Sequence, residues 1–370
     1  MAAGHSLEVD PAGWQTGLEE LLGRVAGRFG RVEPRRRARA FVYGLLADLP
    51  RKNCWTIAEH AGNPNPDGMQ HLLGRAVWDH DGVRDDIRAY LVEALGDPEA
   101  VLVIDETGDL KKGTQSVGVQ RQYSGTAGRI ENAQVAVYLV DASDAGHAMI
   151  DRELYVPRGW IEDPVRCRAA GIPEQVGFAT KPALATQMLT RALDAGVPTA
   201  WVTGDEVYGA DPGLRAELET RGIGYVLAVA CDHPVLAAGD RYRADALLRR
   251  VPARAWQQIS CGKGAKGHRY YDWRSSASTT AILHLAASTG CWRAATAPPA
   301  NWPSTAAGHP APCSWPPWSG SPGVAGPLKS ASRLARAWSA WTSTRSAAGV
   351  PGIAGPPWPC SPTPSWWSRP

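Results

Sequence analysis

The sequence predicts an α/β core behind an all-helical N-terminal region, followed by an irregular tail. Three observations predict it: apolar residues at helical spacing up to residue 96, short apolar runs alternating with helical patterns from residue 100 to 273, and an abrupt change of composition after Trp273. The implied organisation is a helical region over 1–97, a core over 98–273 and a tail over 274–370.

In the first region Trp14, Leu18, Leu22, Val25 and Phe29 recur at helical spacing before Gly30. Phe41, Val42, Leu45, Leu46 and Leu49 do so between Pro34 and Pro50. Both sets read as core stripes. CWTIAEHAG, a turn at NPNPDG and MQHLLGRAVW have the order of a helix-turn-helix, although the turn is long for that motif, and bundle packing explains the same pattern. A further helix carries Val83, Ile87, Leu91 and Leu95 on one face.

The period then changes. Val101 to Ile104 is a short apolar run rich in β-branched residues, as in a strand buried on both faces, and it leads directly into Asp105. NAQVAVYLV and HAMIDRELYV read as antiparallel neighbours. A helix from Thr180 to Ala195 turns Leu184, Met188, Leu189 and Ala192 inward. The strand AWVT follows, ending at Gly204 and Asp205, then a helix opened by Asp211 and Pro212, then the strand IGYVLAVA. RYRADALLRRVPARAW suggests one more helix and GAKGHRYYDW one more strand.

Composition excludes several classes. No run approaches the length of a membrane span and no secretory signal is visible, so a soluble cytoplasmic protein is expected, without a membrane partner. The seven cysteines are scattered and lack CxxC spacing, which argues against a disulfide framework and against a zinc site. GKGAKG, with Lys263 and Lys266, lacks the order of a phosphate loop and precedes a strand, so a nucleotide site is rejected. The net charge of +3 conceals an asymmetry: all 36 acidic residues precede residue 274. The tail holds 9 of the 16 Trp and 16 of the 30 Pro, no Tyr and no Phe, a mixture that suits neither a packed domain nor a solvated linker.

Two acid clusters carry the chemistry. IDETGDLKKG places Asp105 at a strand end, and WVTGDEVYG places Asp205 at another. Ligands of open α/β sheets bind beyond the carboxyl ends of the strands, so two such Asp from neighbouring strands converge on one ion. Mg²⁺ takes few carboxylates, and a pair of ions ~3.5–4 Å apart clamps the attacking and leaving oxygens of a phosphodiester. Glu106 and Glu206 point to the opposite faces and are assigned to supporting or surface roles, and Asp109 to a turn. On spacing alone, caps and turns explain the same aspartates.

Resemblance decides between these readings. DETGDLKKGTQSVGVQRQYSGTAGRIENAQVAVYLV, GHAMIDRELYVPRGW, EQVGFATKPALATQML, WVTGDEVYGADPGLRAELE and GKGAKGHRYYDW resemble successive blocks of the DDE transposases typified by insertion sequence seven-hundred-and-one, over nearly all of residues 15 to 273. The resemblance implies a ribonuclease-H-like mixed sheet with flanking helices and makes Asp105 and Asp205 the first two metal-binding catalytic acids. It implies two Mg²⁺ (or Mn²⁺) ions in an intact site. It also implies double-stranded DNA, as transposon ends and target, as the partner of a protein that assembles as a homo-oligomer on DNA. Arg35, Arg36, Arg37 and Arg39 on the second helix, and Lys111, Lys112 and Arg121 about the first catalytic strand, are the candidate phosphate contacts; a solvated helix face explains the arginines equally well.

The family continues beyond YYDW with a strand, a linker and a helix presenting a catalytic Glu, none of which appears here. Back-translated with allowed codons and read one base earlier, LKSASRLARAWSAWTSTRSAAG yields EERFQAGKGLVGLDEHQVRRW, and CWRAATAPPANWPSTAA yields LARRNRTTGELAFYRCW. Both resemble the missing segment. The first two bases of each codon are mostly fixed, which makes agreement over some twenty positions a strong constraint. One G restored after the Trp273 codon converts YYDWRS to YYDWAL. The missing Glu then lies across the codons for Leu328 and Lys329, so the chain has no third acid, and strand transfer is expected to be absent. Mutation, a sequencing error and a programmed frameshift all produce this text. The competing expectations are a non-catalytic transposon-end binder and an unstable pseudogene product.

Overall fold

The computed structural model describes residues 11–124, 127–237, 239–250, 252, 257–264, 267–277, 282–288 and 291–297, the last four segments as strands only. Its first part is helical: α1 (Pro11–Val25), α2 (Val32–Leu46), α3 (Cys54–His60), α4 (Asp67–Gly74) and α5 (His80–Leu95). A 3-10 turn over Ala26–Arg28 ends α1 and lets Phe29 stack on Trp78, with ring centroids 5.3 Å apart. Val25, Phe29, Leu72 and Ala76 form one small core; Cys54, Ile57, Ala58 and Met69 form another, and Phe41 touches both.

The helical stripes are narrower than the periodicity implies. Trp14 is half-exposed, and so are Leu45 and Leu46. The reason lies in what α2 faces. Its buried residues are Pro34 and Gly44, and a Cβ at Gly44 would lie 2.6 Å from Ile57, so α2 meets α3 closely through Gly44 and through Phe41, while Leu45 and Leu46 turn outward. Helix α3 begins with Asn53, whose side chain accepts from the Trp55 and Thr56 amides, and Thr56 returns the bond to the Asn53 amide.

The core is a six-stranded sheet of β1 (Val101–Leu110), β2 (Gln120–Ser124), β3 (Arg129–Ser143), β4 (Gly146–Tyr155), β5 (Trp201–Gly204) and β6 (Gly224–Leu227). β3 lies antiparallel to β1, β2 and β4, whereas β5 is parallel to β1 and β6 is parallel to β5. The central order β4-β3-β1-β5-β6, three antiparallel strands followed by two parallel ones, is the mixed sheet expected of a ribonuclease-H-like fold. Crossovers run through α6 (Arg158–Ile161), α7 (Pro164–Ala169) and α8 (Lys181–Asp194), then through α9 (Glu206–Gly209) and α10 (Pro212–Thr220).

Helix α8 covers one face of the sheet. Leu184, Met188, Leu189 and Ala192 turn inward as the spacing predicts, against Leu102, Ile104, Leu139 and Val202. The even-numbered residues of β1 therefore face α8, and β-strand alternation sends the odd ones to the other side. Local signals explain the helix starts: Thr180 caps α8 and Asp211 caps α10, each ahead of a Pro in the first turn.

A charged joint ties the helical region to this core. Asp151 on β4 has a fully buried side chain and takes two hydrogen bonds from Arg191 of α8, at 2.8 and 2.9 Å. Arg84 and Arg88 of α5 approach the same carboxylate at 3.6 and 3.8 Å.

Beyond β6 come the hairpin β7 (Pro234–Ala237) and β8 (Asp240–Arg243), then α11 (Ala244–Arg249). A second sheet is an antiparallel meander of β9 (Gln257–Gly264), β10 (Gly267–Ala277), β11 (Ile282–Ser288) and β12 (Cys291–Ala297), with β12 running against β6. Of the GKGAKG segment, Gly262 to Gly264 end β9 and Gly267 opens β10, opposite Gly264; Ala265 and Lys266 lie outside the described residues. β10 continues through Trp273 to Ala277, and two more strands follow, so strands occupy much of 274–297 where the sequence suggests irregular chain. Ladder bonds are made by the backbone, and β11 is a mostly apolar run, ILHLAAS, whatever frame encodes it. The rest of the tail lies outside the described residues.

Candidate active site

The parallel ladder between β1 and β5 pairs Val101 with Trp201 and ends with Ile104 opposite Gly204. The next residue on each strand is an aspartate. Asp105 and Asp205 thus leave neighbouring strands at the same level, from the edge of a fully buried apolar layer in which Leu102, Val103, Ile104 and Val202 are all inaccessible.

Their surroundings differ. Asp205 is buried, and its carboxylate accepts a 2.9 Å hydrogen bond from the Val207 amide as the cap of α9. Asp105 is half-buried and accepts from the Glu106 amide at 2.9 Å. It does not end its strand, as sequence spacing suggests, because β1 runs on to Leu110 against β3. The parallel partner stops at Gly204 while the antiparallel one continues, so β1 is one-sided from Asp105 onward. Asp109 accordingly sits in the strand opposite Gln134, not in a turn.

Glu106 is the group whose partners sequence reading missed, its supporting role being one of the two it was assigned. Alternation sends it to the α8 face as expected, yet it is neither at the surface nor idle. One oxygen accepts from the Lys181 ammonium at 2.7 Å and the other from the Tyr208 hydroxyl at 2.6 Å. Tyr208 is wholly buried, and its hydroxyl is pushed well above the ordinary tyrosine range by burial and by Glu106. These partners lie 75 and 102 residues from Glu106 in sequence, beyond any local pattern.

Burial is the main cause that raises the Asp205 carboxyl, to about 7, and like-charge repulsion from Glu106, Glu206 and Asp105 adds to it, while the Val207 amide works the other way. In the unfolded chain the group titrates near the ordinary aspartate value of 3.8. Between those limits the folded state holds a proton that the unfolded state has released, so stability falls as pH rises through this window. Asp205→Asn is therefore expected to stabilise the metal-free protein at pH 8 by on the order of 2–4 kcal/mol, with little effect near pH 4. Urea unfolding at the two pH values checks this; equal gains at both would show that the cost of ionising the buried carboxylate is not the cause.

Such a cluster suits a divalent cation. Its donors are hard oxygens, one of them buried beside like charges, a chemistry that Mg²⁺ or Mn²⁺ accepts. Among the described residues no group of three His, Cys, Asp or Glu has the arrangement of a metal site. Asp105 and Asp205 are two candidate donors there, fewer than such a group needs. Leu328 and Lys329, whose codons the shifted frame would read as a third acid, lie outside the described residues.

The basic candidates fall into two places. Arg35 and Arg36 are exposed on α2, whereas Arg39 is taken up by Glu19, which also accepts from Tyr43, and Arg37 contacts His71 of α4 at 3.4 Å. Lys111 and Lys112 follow the end of β1, six and seven residues beyond Asp105, which on an extended strand is roughly 20 Å. They are not beside the aspartates. Their loop is fixed where it is by Gln134 and Arg166, which donate to the Val117 and Thr114 carbonyls at 2.7 and 2.9 Å. Arg121 is exposed on β2, which pairs with the same end of the sheet. No described helix is long and apolar enough to cross a membrane.

The family described as DDE superfamily endonuclease matches residues 24–299. The chain is also similar to the "Probable transposase for insertion sequence element IS701" of Microchaete diplosiphon, with 29% identity over 200 residues. That similarity takes in 53% of this chain and 50% of the relative, so the chain spans about half the length of the curated relative it matches.

Proposed function

The chain belongs to the DDE superfamily endonucleases, and on that premise we propose that it is a DNA transposase lacking its third catalytic acid. The observation that carries this reading is the placement of Asp105 and Asp205 one residue past the last rung of a buried parallel ladder. Two carboxylates there, with Asp205 held by the α9 amide, form the kind of donor set that holds Mg²⁺ or Mn²⁺. When bound, such ions polarise a phosphodiester and neutralise the charge that develops on its oxygens.

The protein's own contribution is orientation. Asp205 is fixed as a helix cap, Glu106 is immobilised between Lys181 and Tyr208, and the apolar layer beneath excludes water from one side. Exposed Arg35 and Arg36, with Lys111, Lys112 and Arg121 at the far end of β1 and β2, give two separate basic places for a duplex backbone. The separation favours an extended substrate, double-stranded DNA at insertion-sequence ends, over a small phosphate ester. Assembly of a second copy on that DNA belongs to the same proposal.

The frame break after Trp273 also remains a proposal. The family match runs past it to residue 299, and the stretch from 300 onward, which contains Leu328 and Lys329, lies beyond the match. Without the Glu, strand transfer is lost, and the same residues leave a protein that binds transposon ends without cutting them.

Mobility-shift titration tests the reading. The protein is expected to retard duplex DNA carrying the ends of its element, and Arg35→Glu with Arg36→Glu should weaken binding by roughly tenfold or more and flatten the dependence on salt. Failure to bind end DNA at low salt, in protein shown to be folded, would remove the proposal.

A further inference from the structure

The loop that joins β1 to β2, residues 111–119, is held by side chains instead of by secondary structure. Among the described residues its backbone makes backbone–backbone bonds only at its two ends, from the Lys111 amide to the Asn132 carbonyl and from the Val119 amide to Ser116. Its carbonyls are taken up from outside. Asn132 of β3 donates to Lys111 and Gly113 at 2.7 and 2.9 Å, Gln134 of the same strand to Val117 at 2.7 Å, and the Trp160 indole of α6 to Val119 at 2.9 Å. Arg166 of α7 bridges the loop: one of its nitrogens lies 2.9 Å from the Thr114 carbonyl and 3.4 Å from that of Val119. Its guanidinium carbon sits 3.6 Å from the centre of the Trp160 ring. The stretch so fixed, Lys112 to Ser116, is exposed, and Lys111, Lys112 and Arg166 form no ion pair among the described residues.

We propose that this loop is a preformed contact for the phosphate backbone of duplex DNA, and that Arg166 is its positioning residue, acting through Lys111 and Lys112. This rests on the reading that the chain binds duplex DNA. Fixing an exposed loop costs conformational entropy, and a connection that only joined two strands would need no donors from β3, α6 and α7 to offset it. Cations ordered before the DNA arrives gain more affinity, because their ordering is not subtracted on binding. Arg166 suits the task in two ways. Its planar group bonds two carbonyls while lying against an indole, which the single ammonium of a lysine does not reproduce. Having no carboxylate partner among the described residues, it also braces the loop without bringing in an acid that would cancel the charge of the lysines.

A double-mutant cycle separates positioning from direct contact. A fluorescein-labelled duplex of random sequence, read by anisotropy at low salt, serves as the probe, since phosphate contacts carry no sequence information. Thermal melting of each full-length variant accompanies it. Arg166→Met is expected to weaken binding roughly threefold to tenfold, and Asn132→Ala, which frees the other end of the loop, to act in the same direction. Lys111→Ala with Lys112→Ala should weaken it roughly tenfold, and adding Arg166→Met to that pair should cost less than about twofold more. Arg166→Lys, which keeps the charge and loses the fork, should bind as weakly as Arg166→Met. If Arg166→Lys binds as the unaltered protein does, or if the losses add in the triple variant, Arg166 acts by its charge or by its own phosphate contact, and the positioning role is wrong while DNA binding stands. If the lysine pair can be removed without loss, the loop is not a contact. Should Arg166→Met melt without cooperativity, the same cycle run with Asn132→Ala decides. A folded, unaltered protein that binds no duplex removes the DNA-binding reading and this inference together.

Discussion

Restoring one G after the Trp273 codon is expected to turn a protein without measurable nuclease activity into one that cleaves insertion-sequence-end DNA in Mg²⁺, a difference on the order of 10³-fold or more. On the proposed reading, two carboxylates from β1 and β5 would hold a cation with less charge and fewer fixed directions than three, and in-line displacement depends on that alignment. DNA affinity should change far less. Arg35, Arg36, Lys111, Lys112 and Arg121 all precede the break, and phosphate neutralisation does not require the third acid. The measurement compares both proteins for cleavage and for binding of the same duplex, with Asp105→Ala and Asp205→Ala in the restored frame. Equal cleavage by the two proteins would defeat the frame argument. Cleavage that appears only on restoration, and disappears with either aspartate, would support both the frame and the site.

Much of this arrangement was legible because local chemistry and tertiary packing agree. Thr180 with Pro182 and Asp211 with Pro212 mark helix starts by themselves, and the inward residues of α8 follow from 3.6-residue spacing. The placement of the two aspartates just after buried runs was also legible, although it was resemblance, not spacing, that singled them out. Other features depend on partners that a pattern does not name. Leu45 and Leu46 look like core residues until Gly44 is seen to be the contact with Ile57. β1 extends past Asp105 because β3 pairs with it as far as Leu110, although the apolar run stops at Ile104. Glu106 was correctly sent to the face opposite Asp105, but alternation carries no information about Lys181 or Tyr208. Composition marked the tail as unlike a packed domain; it had no means of forbidding strands, whose ladder bonds come from the backbone.

Asp151→Ala is expected to lower the unfolding free energy by about 3–5 kcal/mol, the usual cost of leaving buried charges without their partner. No residue near the aspartate pair is involved, so the effect is on architecture. The Asp151 side chain is fully buried, with Arg191 hydrogen-bonded to it and Arg84 and Arg88 close by; the side chains of Arg84 and Arg88 are themselves less than one-tenth exposed. Removing the carboxylate leaves three guanidinium groups at the seam of α5, α8 and β4. Arg191 keeps a 2.8 Å contact with Glu153, and Arg84 and Arg88 keep Asp85 at 2.9 Å, which is why the expected loss stays within a single-pair range instead of multiplying by three. Since α5 is the last helix before β1, the helical region should loosen from the core first, with proteolytic cleavage appearing between Gly96 and Ala100 before global unfolding. Urea unfolding gives the magnitude and limited proteolysis the order of events. A loss below 1 kcal/mol would mean that the joint is solvated and contributes no more than a surface ion pair. A full loss recovered when Arg191→Met is added to Asp151→Leu would identify the unpaired charge, and not the missing volume, as its cause.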